Sequence, residues 1–322
     1  MQKINITMLG PSGIGKTSLL TAMFHQFMEK VSITSLQLIP SSETSREIED
    51  YLAQLKYLVS SNNFQAEGGV KQTKEPTSLC YNISQTSISP LLQIHFQDFP
   101  GGYIESEGTK EEIQKVEKFL DDSSAVIIPI DAAALMEREG KWHEKSNQPT
   151  VITNLLKKAY QNLNSPRLVI LAPVKCETYM QEPNSEQKLL NQVKEKYCEL
   201  LDFLRTPNSA TYVSVVVTPV QTVGNLKFSR IEGEDEGEPK FYFRQTERNV
   251  PYAPKDAEQP LQYLFSFCLK LHAEQKLFPG INFINNLAGI DNPFRQAALQ
   301  VARGRKRTGG FAVLQGQNWL DI

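Results

Sequence analysis

Gly10-Pro11-Ser12-Gly13-Ile14-Gly15-Lys16-Thr17 reads G-x-x-x-x-G-K-T and follows directly on the apolar run Ile4-Asn5-Ile6-Thr7-Met8-Leu9. That is a strand feeding a phosphate-binding loop. Glycines at 10, 13 and 15 let the backbone turn with positive φ, so successive N–H groups, those of Ser12, Ile14 and Ser18 among them, can point at a polyphosphate. Lys16 is placed to reach the outer phosphates. Thr17 opens a helix carried on by Ser18-Leu19-Leu20-Thr21-Ala22-Met23-Phe24, which turns the positive end of its dipole toward the anion, and the Thr17 hydroxyl is a candidate Mg²⁺ ligand.

The rest of the composition constrains what surrounds this loop. With 322 residues, 40% hydrophobic and 22% charged, the chain is expected to fold into one large or two modest domains. Its 34 basic and 36 acidic residues give a net charge of −2, so nothing global draws it to nucleic acid or an anionic membrane. Cys80, Cys176, Cys198 and Cys268 are scattered, without the spacing of a zinc site or a disulfide framework. No basic-plus-apolar leader opens the sequence, and no apolar run reaches the roughly 18 residues that a membrane span needs. A cytoplasmic protein with reduced thiols, not inserted in a membrane, is the expectation.

Taken in order, the first helix should run to about Val31, followed by a polar stretch over residues 32–45 and an amphipathic helix over 46–59 with Leu52, Leu55 and Leu58 at helical spacing. Residues 60–74 read as a loop where a nucleotide switch could lie. Residues 77–83 and 91–98 alternate as an antiparallel pair, with His95 on the polar face, and the second strand ends in Asp98-Phe99-Pro100-Gly101-Gly102. An acid at a strand tip beside a phosphate loop is where Mg²⁺ needs a carboxylate, and Gly101 can offer its N–H to a γ-phosphate. A helix over 107–122 and a doubly buried strand over 125–130 follow, with Asp131 as N-cap of a helix at 132–136 and a solvated insertion over 137–149.

After a helix over 151–163 and a buried strand over 167–172 comes Pro173-Val174-Lys175-Cys176-Glu177. The Lys175 stem can stack on a purine, and Glu177 can accept from guanine's N1–H and exocyclic amine, whereas Cys176 reads as filler. One helix is expected over 186–204 and a β-branched strand over 211–218, whose exit at 219–222 faces the same base pocket. Residues 226–230 and 240–244 suggest a hairpin with an acidic tip at 232–238, and residues 259–272 a closing helix. Beyond Lys276 long periodic segments stop. The basic run Arg303-Gly304-Arg305-Lys306-Arg307 reads as a solvated tail, with anion or nucleic-acid contact as the alternative.

In order and spacing, Gly10–Thr17, Asp98–Gly101 and Val174–Glu177 resemble the phosphate loop, the D-x-x-G switch motif and the N/T-K-x-D guanine motif of Ras-like GTPases of the translation-factor-related class. More narrowly, the D-F-P-G-G turn and the V-K-C-E variant look like the double-GTPase domains of bacterial signalling and conflict-system gene neighbourhoods. The resemblance implies an α/β P-loop NTPase sandwich of three layers over residues 1–275, its six-stranded sheet mostly parallel with one antiparallel edge strand. A hairpin insertion at about 225–250 and an extension over 276–322 complete the chain.

By the same resemblance, Lys16 and the loop residues Gly10, Ser12, Gly13, Ile14, Gly15, Thr17 and Ser18 hold GTP or GDP. Thr17 ligates Mg²⁺ directly, Asp98 does so through water, and Gly101 senses the γ-phosphate. Lys175 and Glu177 hold guanine, and the switch threonine is Thr77 or Thr73. Three positions depart from the pattern. Val174 cannot make the bonds of Asn or Thr, Glu177 is one methylene longer than Asp, and Gly102 stands where many such enzymes place the water-orienting Gln. Slow intrinsic hydrolysis follows, stimulated by a protein partner, a dimer contact or a residue in cis such as Arg138, in a regulatory switch that signals to a protein effector. A nucleotide-binding adaptor that does not hydrolyse, and a P-loop ATPase or kinase, are the alternatives.

Overall fold

Ile4, Ile6 and Met8 alternate with Asn5 and Thr7 along β1 (Gln2–Met8), and all three apolar side chains are at most 1% exposed. Burying each is worth about 1.5–3 kcal/mol, which ties the first strand into the middle of the protein before any loop is considered. The computed structural model describes residues 2–32, 34–60, 64–65, 75–85, 92–106, 108–233, 239–247, 250–273 and 292–321. After β1 come α1 (Lys16–Ser32), β2 (Leu36–Pro40), α2 (Ser42–Ser60), β3 (Phe64–Gln65), β4 (Thr77–Gln85) and β5 (Leu92–Asp98). The middle of the chain holds α3 (Lys110–Asp122), β6 (Ala125–Asp131), α4 (Ala132–Met136), α5 (His143–Asn147), α6 (Pro149–Ala159) and β7 (Arg167–Val174). Next are α7 (Pro183–Lys196), α8 (Cys198–Leu204), α9 (Pro207–Ala210), β8 (Val213–Val217), β9 (Leu226–Glu232) and β10 (Lys240–Gln245). Helices α10 (Gln259–Ala273) and α11 (Asn292–Arg303) and strand β11 (Ala312–Gln315) complete the series.

The main sheet runs β11-β8-β7-β6-β1-β5-β4-β2. Its five central strands, β8 to β5, are parallel, while β4, β2 and β11 pair antiparallel with their neighbours. Successive side chains of a strand face opposite ways, so β7, buried from Leu168 onward, feeds Leu168, Ile170 and Ala172 to one core and Val169 and Leu171 to the other. Helices α1, α10 and α11 cover the first face; α3, α6, α7 and α8 cover the second. This is the three-layer α/β architecture of P-loop NTPases. The six expected strands are present with β4 as the antiparallel one, and two further strands, β2 and β11, widen the sheet to eight.

Several expectations need correction. Residues 32–45 are not simply a polar connection: Leu36 and Leu38 are buried on β2, with Gln37 and Ile39 facing out, and α2 begins at Ser42. The 137–149 segment is not a solvated insertion, because Trp142, His143 and Asn147 are at most 7% exposed and Asn147 holds the Asp131 backbone at both its N–H and its C=O. The helix over 186–204 breaks at Tyr197 into α7 and α8. Beyond residue 276 the chain forms α11, packed on α10, and then β11, paired with β8. The basic run there is largely exposed, as expected, but it is no loose tail: Arg305 donates to the Leu320 carbonyl, Lys306 pairs with Asp256, and Arg307 pairs with Asp321.

Strands β9 and β10 form the expected hairpin, which with β3 makes a separate three-stranded sheet. Its apolar face, with Leu226, Phe241 and Phe243, packs on Ala133, Ala134, Trp142 and Val223. Of the acidic tip, residues 234–238 lie outside the described residues. Among the described residues no helix is long and apolar enough to cross a membrane.

Candidate functional site

The carboxyl ends of β1, β5, β6 and β7 meet where an open α/β sheet ordinarily binds its ligand. The loop from β1 to α1 turns with φ of +70° at Gly13 and +106° at Gly15, values that L side chains rarely adopt. Ile14 is buried and anchors the loop, Gly10 packs so closely on it that a Cβ would lie 3.2 Å from Ile14 Cγ2, and Ser12 and Gly13 are exposed. Lys16, 6% exposed, curls over the loop and donates to the carbonyls of Gly10 at 2.8 Å and Pro11 at 3.0 Å. Burial lowers its pKa, opposed by the charges of Asp98 and Glu105. The half-buried Thr17 and Ser18 follow in the first turn of α1.

Because β5 lies beside β1 in parallel register, with Asp98 opposite Met8, its terminal carboxylate arrives next to that turn. The Thr17 hydroxyl donates to Asp98 Oδ2 at 3.1 Å, and Asp98 is 4% exposed. Thr77 stands directly opposite Asp98 in the antiparallel β4–β5 pair, so both project from one face of the sheet, and its hydroxyl donates to the Glu75 carbonyl at 3.2 Å. Thr73 lies outside the described residues, as does most of the 60–78 segment. A hydroxyl and a carboxylate with a second hydroxyl in register are the oxygen donors that a hard cation such as Mg²⁺ prefers.

Gly101 is pressed onto the phosphate loop: a Cβ there would lie 2.0 Å from the Ser12 nitrogen and 2.2 Å from the Pro11 carbonyl carbon. No other residue fits. At Gly102, by contrast, a Cβ would meet nothing within 4 Å. The 3₁₀ turn Gly101–Ile104 then delivers Glu105, whose Oε1 accepts from the Ser12 N–H at 2.7 Å. Sequence reasoning missed this residue, and nothing in the pattern around it marks it.

On the other side of the loop, Lys175 follows β7 in the left-handed region at φ 54°. Its ammonium reaches the Gly13 carbonyl at 3.2 Å and Asp131 Oδ2 at 2.5 Å, while Asp131 Oδ1 caps α4 by accepting from the Ala134 N–H at 3.0 Å. Asp131 was expected only as a cap. Val174 is buried, with Cγ2 3.6 Å from the position a Cβ on Gly15 would take. Glu177 is 2% exposed and its Oε1 accepts from the N–H groups of Val223 at 3.1 Å and Gly224 at 3.2 Å. Burial raises its pKa, partly offset by its own backbone N–H and these two. Cys176 is fully buried, its thiol pushed well up by burial, so it packs and does not attack. Arg138 sits exposed on the turn 137–140 at φ 51°.

A strand, a glycine-rich anion loop and a helix at the centre of a parallel sheet define a P-loop nucleotide-binding protein. The family model described as Double-GTPase 2 matches residues 4–224, and the chain belongs to that family, which makes it a GTP-binding protein. The match spans β1 through the Glu177-bound amide of Gly224. Among solved structures the chain is similar to the signal recognition particle receptor SRb-GTP/SRX complex from Chaetomium thermophilum, at 15% identity and a TM-score of 0.38 over 67% of this chain and 90% of that one. No curated protein matches.

Proposed function

We propose that this chain is a guanine-nucleotide switch with slow intrinsic hydrolysis that signals to a protein partner, of the kind bacterial signalling and conflict systems carry. The observation that carries the reading is the convergence of Lys16, Thr17 and Asp98 on one loop against which Gly101 is seated. In this reading Lys16 exchanges the Gly10 and Pro11 carbonyls for phosphate oxygens, and the amides from Gly13 to Ser18 take the remaining phosphate charge. Thr17 and Asp98, with Thr77 in register, hold Mg²⁺, which when bound neutralises charge on the outer phosphates. Lys175 lays its stem along one side of the base pocket, and Glu177 forms its floor.

Gly102 supports slow turnover, since hydrogen has replaced the amide that would orient an attacking water. The seating of Gly101 on Ser12 supports a switch, because any γ-phosphate at that point has to move the 99–110 segment, and a partner that reads the segment then reads the nucleotide. Gly102 equally favours a second reading, an adaptor that binds nucleotide without hydrolysing it.

The test is titration of fluorescent GTP, GDP and ATP analogues with Mg²⁺ into wild type and Lys16→Ala, followed by single-turnover hydrolysis. Guanine-selective binding, lost in the variant, with hydrolysis slower than about one turnover per minute, is expected. Equal affinity for ATP and GTP would sink the guanine reading, fast hydrolysis by the isolated chain would sink the slow switch, and none at all would favour the adaptor.

A further inference from the structure

The phosphate loop of this protein already holds an anion, its own Glu105. The Ser12 N–H donates to Glu105 Oε1 at 2.7 Å, the short distance of a charge-assisted bond. The local backbone fixes where the Glu105 side chain starts from. Gly101 sits against Ser12, the turn Gly101–Ile104 is anchored by buried Phe99 and Ile104, and the Glu105 N–H closes on the Gly102 carbonyl at 3.2 Å. Beyond it, the Gly108 N–H donates to the Glu105 carbonyl at 2.9 Å, and a Cβ on Gly108 would lie 2.5 Å from the Tyr103 carbonyl oxygen. The segment is therefore a tight brace whose outward group is the Glu105 carboxylate, laid on the loop.

Resting on the nucleotide-switch reading above, we propose that Glu105 sets the preference between nucleoside tri- and diphosphates: its carboxylate occupies the Ser12 amide in place of a γ-phosphate and must leave before one binds. Ser12 lies beside Gly101 and Glu105, three residues ahead of the amides of Gly15 to Ser18 where α1 begins. A diphosphate held at the helix end leaves the Ser12–Glu105 bond alone. A third phosphate brings a second anion to the same N–H, and two like charges competing for one donor repel each other. Triphosphate affinity is reduced by whatever fraction of the protein keeps the carboxylate in place, and the displaced 101–106 brace becomes the signal.

The experiment compares the full-length wild type with Glu105→Gln, titrating a non-hydrolysable imido analogue of GTP and GDP in parallel with Mg²⁺ present. Glutamine keeps the size and loses the charge. The expected result is about tenfold tighter binding of the triphosphate with GDP affinity within about twofold, so that the ratio changes and not the overall affinity. Hydrogen exchange over residues 99–106 of the wild type gives a second readout, independent of how the variant folds: the triphosphate analogue should raise exchange there and GDP should not. An unchanged affinity ratio together with unchanged exchange overturns the role of Glu105 while leaving the nucleotide site standing. Loss of single-turnover hydrolysis in Glu105→Gln without tighter triphosphate binding also overturns it, since the carboxylate would then be acting on water. Failure of the wild type to bind either nucleotide removes the site itself, and the proposal with it.

Discussion

Lys175 Nζ lies 2.5 Å from Asp131 Oδ2, and the pair ties the end of β7 to the end of β6 directly over the phosphate loop. The carboxylate is 5% exposed and the ammonium 18%, so the bond is shielded, and Asp131 is itself fixed by Asn147 and by the Ala134 N–H. Val174 cannot tether this corner with a polar side chain, and Asp131 supplies the tether from the neighbouring strand. The Lys175 backbone at this corner lies in the left-handed region, at φ 54°.

Asp131→Asn keeps an oxygen for the α4 cap and removes the charge that positions Lys175. Guanine-nucleotide affinity should fall about tenfold, the size of a lost charge-assisted hydrogen bond. Lys175→Ala should cost at least as much, and the double variant no more than Lys175→Ala alone, because Asp131 acts through the lysine. Fluorescent GDP titration of the three variants checks this. Additive losses would assign Asp131 a separate contact.

Glu177 differs in kind, because its carboxylate is committed to two backbone amides. Glu177→Ala strips the acceptor from the Val223 and Gly224 N–H groups in a site 2% exposed, and should destabilise the protein by about 1–3 kcal/mol for each unsatisfied amide. Glu177→Gln retains an oxygen and should recover most of that stability in urea titration. If the carboxylate also holds guanine's two donors, the Gln variant folds well and still loses discrimination between GTP and ATP.

Gly102 has open space around it and is absent from the positive-φ positions, so a side chain fits without strain. Gly102→Gln should restore a group able to orient water and raise the single-turnover rate by about tenfold, with nucleotide affinity unchanged. A rate no higher than wild type would mean that the segment, braced by Glu105, keeps residue 102 away from the attacking water.

The corner built by local sequence was legible, and the parts built by long-range packing were not. Gly10 to Thr17 carries its own geometry, and Asp98 is fixed by the alternation of β5, so both could be read from pattern and then found where expected. The pairing of Asp131 with Lys175 spans 44 residues, and that of Ser12 with Glu105 spans 93; neither leaves a mark in spacing. Strand β2 was hidden by its Ser/Thr-rich flanks and Pro40, and α11 by the unpatterned stretch before it. His143 and Trp142 looked solvated among charged neighbours because much of what buries them is distant in sequence: the hairpin residues Leu226, Phe241 and Phe243 around Trp142, and Tyr197, at the break between α7 and α8, against His143.

His143 makes the fold sensitive to acid. It is 2% exposed, burial lowers its pKa to about 4, the nearby Lys196 charge adds to this, and a hydrogen bond with the Lys196 backbone partly opposes it. Its Nδ1 lies 2.9 Å from the Asn147 amide nitrogen, which as donor selects the neutral ring. Unfolded, the ring takes a proton below about 6.5, whereas folded it does so only below about 4. Between those values the unfolded state binds more protons, so stability is full above 6.5 and is lost as pH falls toward 4, by on the order of 2–3 kcal/mol. Urea midpoints at pH 7, 5.5 and 4 should follow that slope, and His143→Gln should flatten it.

The segment after residue 292 offers the clearest stability test. Strand β11 pairs with β8, Ser214 Oγ donates to the Gly316 carbonyl at 2.8 Å, and Trp319, 4% exposed, donates its indole N–H to the Thr211 carbonyl at 3.0 Å. These contacts close the exposed edge of β8, which without them would offer a row of unpaired backbone groups to other chains. If residues 292–321 fold as one unit with the sheet, Trp319→Ala should cost about 3–5 kcal/mol in a single urea transition, and Met28→Ala, at a position 47% exposed, under about 0.5 kcal/mol. The loss should be accompanied by concentration-dependent association through the loosened β8 edge, measurable by light scattering. A midpoint unmoved by Trp319→Ala, or a second transition at low urea, would show that the last strand docks on a sheet already stable without it.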